Sequence, residues 1–161
     1  MIHEVRGDLL LSRAQVVAHG IGPDDDFHSG LALALRERWP AMYKDFRHAC
    51  HTSKLEPGDL WTWAGPGLVI VNLLTQEPPR GGHGHAGKAT VANVNHALRK
   101  LRQLVEHEKF PTLALPRLAT GVGGLEWSEV KPLIEHHLGD LSCHVYIYTQ
   151  YHAGETAAEP T

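Results

Sequence analysis

Two stretches of this chain carry residue types and spacings suited to holding phosphate groups. Leu113 to Trp127 reads Leu-Ala-Leu-Pro-Arg-Leu-Ala-Thr-Gly-Val-Gly-Gly-Leu-Glu-Trp, an apolar strand running into a glycine-rich loop with a helix after it. Glycines let backbone N–H groups approach an anion closely, and a helix N-terminus adds partial positive charge. No Gly-Lys-Ser/Thr follows, so the loop is no P-loop. The second stretch runs from Ala18-His19-Gly20-Ile21 through Asp24-Asp25-Asp26-Phe27 to His28-Ser29-Gly30-Leu31-Ala32. It too takes a strand end through a loop to a helix start, and two such tips facing each other could grip a pyrophosphate. The acidic run Asp24–Asp26 would repel phosphate, so it reads as a solvated loop tip. A third segment, Gly7-Asp8-Leu9-Leu10, follows the first strand. Its carboxylate could accept a hydrogen bond from an exocyclic amine such as that of adenine, or simply close a turn.

The elements that position these loops follow from periodicity and punctuation. Ile2–Arg6, Gln15–His19, Thr112–Pro116 and Cys143–Thr149 read as strands, and Asp59–Trp63 and Leu68–Leu74 as a pair joined by Gly65-Pro66-Gly67. Helices are expected at Gly30–Arg38 behind an N-cap Ser29, and at Ala41–Cys50 beyond Pro40. A longer one spans Thr90–Glu108, where Val91, Val94, Leu98, Leu101 and Val105 share a face. The last is Ser128–Leu138, with Ser128 as N-cap and Pro132 in its first turn. Strands alternating with helices imply an α/β domain with helices on both faces of a mixed sheet. Ligands of such sheets bind outside the carboxyl ends of the strands, where the glycine loops lie.

Composition sets the outer bounds. The chain has 161 residues, 42% hydrophobic and 20% charged, which suits one globular domain whose core needs no disulfide or metal. Cys50 and Cys143 fit no zinc spacing and read as reduced thiols. A formal net charge of −3 argues against non-specific coating of nucleic acid, which requires Lys and Arg against phosphates. Neither a signal peptide nor a membrane-spanning stretch is visible, so a cytoplasmic monomer is expected, with no membrane partner. Residues 152–161 are small and polar and read as a disordered tail behind a domain of residues 1–151.

The Gly-Asp pair after the first strand and the two loops together resemble the macrodomain family. Pro116-Arg117-Leu118, Gly121-Val122-Gly123-Gly124-Leu125-Glu126-Trp127 and Val145-Tyr146-Ile147-Tyr148-Thr149 are most similar to its branch of terminal ADP-ribose protein glycohydrolase and DNA ADP-ribosyl glycohydrolase antitoxins. The resemblance covers about Ile2 to Gln150. It implies a three-layer α/β/α fold around a mixed, mostly parallel six-stranded sheet, and ADP-ribose as ligand. Asp8 and Leu9 would then meet the adenine. Ser29, Gly30, Leu31 and Ala32 would line one side of the diphosphate, with His19 and Thr75 nearby. Arg117, Leu118, Ala119, Thr120, Gly121, Val122 and Gly123 would wrap the other phosphate and the distal ribose, and Tyr148 and Gln150 would border the adenine. Tyr148 could equally be core.

Two departures bear on chemistry. Gln76 stands where the branch carries a lysine, and Gly123 where some members carry an aspartate, so neither a Schiff base nor that general base is available. Lys88 could reach back. His83 and His85, in the loop Gly81–Gly87, could act as a lid over the distal ribose. They could also be ordinary surface histidines, and with no third ligand beside them no metal site is expected. Neither is a cofactor. The expected function is removal of mono-ADP-ribose from acidic side chains or from a DNA base of thymidine type, in the setting of DNA damage. Modified protein or DNA would be the partner. The alternative is a non-catalytic ADP-ribose reader.

Overall fold

A computed structural model describes residues 1–161. Six strands, β1 (Ile2–Gly7), β2 (Val16–Ile21), β3 (Leu60–Gly65), β4 (Leu68–Leu74), β5 (Thr112–Pro116) and β6 (His144–Tyr151), form one sheet in the order β1-β6-β5-β2-β4-β3. Only β3 runs antiparallel, closing the tight turn to β4. The other five strands are mutually parallel, so their carboxyl ends share one edge of the sheet.

Four helices cover the sheet: α1 (Gly30–Arg38), α2 (Pro40–Thr52), α3 (Val91–Glu108) and α4 (Trp127–Leu138). Successive strand side chains point to opposite faces, and β4 shows the consequence. Ile70 and Leu74 pack with Leu35, Met42 and Phe46 of α1 and α2, whereas Val71 and Leu73 pack with Val94, Leu98 and Leu101 of α3 and with α4. The fold is the three-layer α/β/α arrangement. Helix α3 starts where its period predicts, because Thr90 accepts a hydrogen bond from the Asn93 N–H.

Three local expectations change. The N-cap of α4 is Glu126, which forms a reciprocal capping box with Glu129, so Ser128 lies inside the helix and Pro132 falls in the second turn. Ser29 precedes α1 but makes no side-chain capping bond. Residues 152–161, expected to be disordered, are laid along the β1–β6 edge. The Asp8 N–H donates to Glu155 O at 2.7 Å, and Tyr146 Oη donates to Pro160 O at 2.6 Å. Composition missed this because the tail is held by polar partners distant in sequence rather than by apolar content.

Candidate functional site

The carboxyl edge of the sheet opens into a cavity of about 400 Å³ between the loops that leave β2 and β5. The first loop is built around its acidic run. Asp25 is buried, and its carboxylate accepts from the N–H groups of Phe27 at 2.9 Å and Gly22 at 3.3 Å. Burial pushes the Asp25 carboxyl above its ordinary range. Arg47 and Arg36 donate to the carbonyls of Asp24 and Asp26 and fasten the loop to α2 and α1. The run is therefore folded and no solvated tip, with the Asp25 carboxylate turned inward onto N–H groups of its own loop. Beyond it, the first-turn N–H groups of α1 have no intrahelical acceptor and open on the cavity.

The second loop is drawn in on itself. Leu125 N–H donates to Ala119 O and Gly124 N–H to Gly121 O, while Ala119 sits at a left-handed φ of 62°. The N–H groups of Gly121, Val122 and Gly123 donate to no protein acceptor, so a row of donors is left for a ligand. Gly123 is required by space. A Cβ there would lie 2.6 Å from Ala119 O and 2.9 Å from Ala119 Cα, backbone atoms that cannot swing away.

His19 and Asn72 face each other on adjacent strands β2 and β4. Asn72 donates its amide N–H to Trp61 O, which leaves its Oδ1 as acceptor for His19 Nε2–H at 2.6 Å. Burial pushes the His19 imidazole down to about 4, against the raising effect of Asn72, so it is neutral at physiological pH. Nearer the opening, His28 and His85 meet with ring centroids 4.6 Å apart and planes tilted by 33°. His28 Nδ1 lies 3.2 Å from Asp26 Oδ1, an oxygen closed off from water. The Asp26 N–H donates to Gly84 O and so ties the two loops together.

No family model matches the chain. The DNA ADP-ribosyl transferase–DNA ADP-ribosyl glycohydrolase fusion protein of Thermosipho africanus is 26% identical to it over 157 residues, 89% of the chain. The DNA ADP-ribosyl glycohydrolase of Thermus aquaticus is 25% identical over 149 residues, 92% of the chain. The chain spans only 40% and 41% of the lengths of these two proteins. Among solved structures, the macrodomain of Thermus aquaticus DarG superposes with a TM-score of 0.82 at 26% identity, covering 92% of this chain and 98% of that one. The chain has the macrodomain fold.

Within this macrodomain the cavity is lined by His19, Ser29, Gly30, Leu31 and Ala32 from the first loop and by Arg117 through Gly123 from the second. Tyr148 reaches it from β6, and His85 from the loop after β4. The Arg117 guanidinium also lies 5.7 Å from the ring centroid of Trp127. Asp8, Leu9, Thr75 and Gln150 do not line the cavity. Asp8 and Leu9 are buried, Thr75 packs against Gly20, and Gln150 is exposed on β6. His83 also lies outside, on the exposed side of its loop. Gln76 borders the cavity and donates its amide N–H to Gly87 O at 2.8 Å, which ties down the loop after β4. Lys88 Nζ rests beside Gly124 instead of in the cavity.

Sequence reasoning missed His28 as a partner of His85, and Asp26 as its neighbour. The available signal was the spacing Asp26-Phe27-His28 immediately before a helix start. An acidic run that looks solvated in sequence hides it.

Proposed function

We propose that this macrodomain binds ADP-ribose and hydrolyses mono-ADP-ribose from modified acidic side chains or from a DNA base. The observation that carries the reading is the cavity's donor set. The unused N–H groups of Gly121–Gly123 and the first turn of α1 line one cavity, an arrangement suited to two linked phosphates. Similarity to proteins named DNA ADP-ribosyl glycohydrolase supports the same chemistry.

With the diphosphate held there, the distal ribose would lie toward His28 and His85. Cleavage breaks the bond from C1″ to the carboxylate oxygen or base nitrogen, and a water oxygen bonds to C1″. The pair of electrons leaves with the departing group, and oxocarbenium character develops on the ribose between. His28 Nε2 would accept the water's proton, with Asp26 at Nδ1 stabilising the imidazolium that forms. A carboxylate leaves as an anion and needs no proton; a base nitrogen takes one as it departs. This route uses neither a lysine at Gln76 nor an aspartate at Gly123.

The test is incubation with ester-linked and thymidine-linked ADP-ribose substrates. Free ADP-ribose should be released, and His28→Gln or His85→Ala should lower kcat about 10²-fold or more with little change in affinity. His83→Ala should leave turnover unchanged. Binding without release from either substrate would make the protein a reader. Full turnover in His28→Gln would remove the histidine from the mechanism.

A further inference from the structure

The phosphate loops of the cavity are rich in unused donors, but at Asp8, outside the cavity, where the family resemblance puts the adenine, the donors and acceptors are already paired. The partners come from the chain's own last residues. Asp8 gives its N–H to Glu155 O, and its carboxylate accepts from Leu10 N–H at 3.0 Å through Oδ1 and from Gly154 N–H at 2.9 Å through Oδ2. Only 8% of the residue remains exposed. The contact is close along its length, since a Cβ on Gly7 would fall 2.8 Å from Glu155 O and 2.9 Å from Ala157 N. Glu159 anchors the far end, accepting from Ser12 Oγ at 2.6 Å, Arg13 N–H at 3.0 Å and Tyr148 Oη at 2.8 Å.

We infer that the segment Gly154–Pro160 is an intramolecular competitor for the adenosine half of the ligand, a strap that must leave before the purine can reach Asp8. The inference rests on the ADP-ribose reading of the site. The Gly154 N–H presents to the Asp8 carboxylate the same donor that an exocyclic purine amine would. The strap is built to leave. It forms no helix or strand, and Ala157 is its one side chain packed against the buried cluster of Val5, Leu9 and Tyr148. Polar contacts of this kind are replaced by water on release, so opening costs far less than unfolding a strand. Ligands that engage only the phosphate loops would bind with the strap in place. Those carrying adenosine would bind with an affinity reduced by the fraction of molecules in which it is open.

Two full-length variants test this. Gly154→Pro removes the N–H and cannot adopt the φ of 73° found there, and Glu159→Ala removes the anchor. Calorimetry would compare ADP-ribose with inorganic pyrophosphate, a probe without adenosine, and thermal melts would verify that each variant is folded. Both variants should bind ADP-ribose about tenfold more tightly than the parent, with pyrophosphate affinity unchanged. In the parent, the Gly154 amide should exchange slowly when free and rapidly once ADP-ribose is bound. Equal or weaker ADP-ribose binding in both variants, with the Gly154 amide still protected in the complex, would show the strap to be a fixed part of the fold and overturn the inference. No heat with either ligand in any of the three proteins would sink the ADP-ribose reading itself, and the competitor with it.

Discussion

Replacing His19 with glutamine should abolish a pH dependence of stability whose size follows from the ring's burial. His19 is 1% exposed where it borders the cavity, with its Nε2–H committed to Asn72 Oδ1. A second proton would place a charge on a ring that burial has taken out of bulk water. Folding therefore holds the imidazole at about 4, against 6.5 in the open chain. Above 6.5 the ring is neutral in both states and contributes no pH dependence. As the pH falls below that value the unfolded chain takes up the proton and the folded one does not, so stability drops until about pH 4 and then levels. At about 1.36 kcal/mol per pH unit, the loss reaches about 2 kcal/mol near pH 5 and about 3 kcal/mol near pH 4. Urea unfolding of both proteins at about pH 7, 5 and 4 measures it. Glutamine keeps an N–H for Asn72 but does not titrate, and carboxylates elsewhere cancel in the comparison. The parent should lose about 2 kcal/mol more than the variant between pH 7 and 5. A difference that stays constant across the range would mean that the ring titrates normally, and the argument from burial would fail.

Two further substitutions separate the binding loop from the scaffold. Gly123→Ala drives a methyl into the Ala119 backbone and should cost about 1–3 kcal/mol in denaturant unfolding. It should also weaken ADP-ribose binding at least about tenfold, by about 1.4 kcal/mol, in calorimetry, because the free donors of the loop move with it; unchanged affinity would put the ligand elsewhere. Thr90→Ala removes the acceptor for Asn93 N–H at the start of α3, and should cost about 1 kcal/mol or about 2–4 °C in Tm. Ligand affinity should be untouched, since this cap faces no part of the cavity.

Much of the architecture could be read from local pattern. Val71 and Leu73 against Ile70 and Leu74 announce a strand covered on both faces, and the spacing of Val94, Leu98, Leu101 and Val105 sets the buried face of α3. The glycine loops after β2 and β5 could be placed at one edge because parallel strands put their carboxyl ends together. At the site the reading thinned. Gln76 was recognised as a departure, but its bond to Gly87 O depends on how the following loop returns to β4. His85 was a candidate, yet its partner His28 lies 57 positions away in sequence and meets it only because Asp26 is tied to Gly84.

What the sequence determined alone is the set of elements, their order and the positions where backbone donors could be left free. Periodicity and glycine placement act over a few residues and are visible without a fold. The tertiary structure decided which of those donors remain unused, which histidines meet, and that Glu159 reaches Ser12 and Tyr148 to lay the tail over Asp8. Those outcomes depend on long-range packing that pairs or spares each polar group, and no local pattern encodes them.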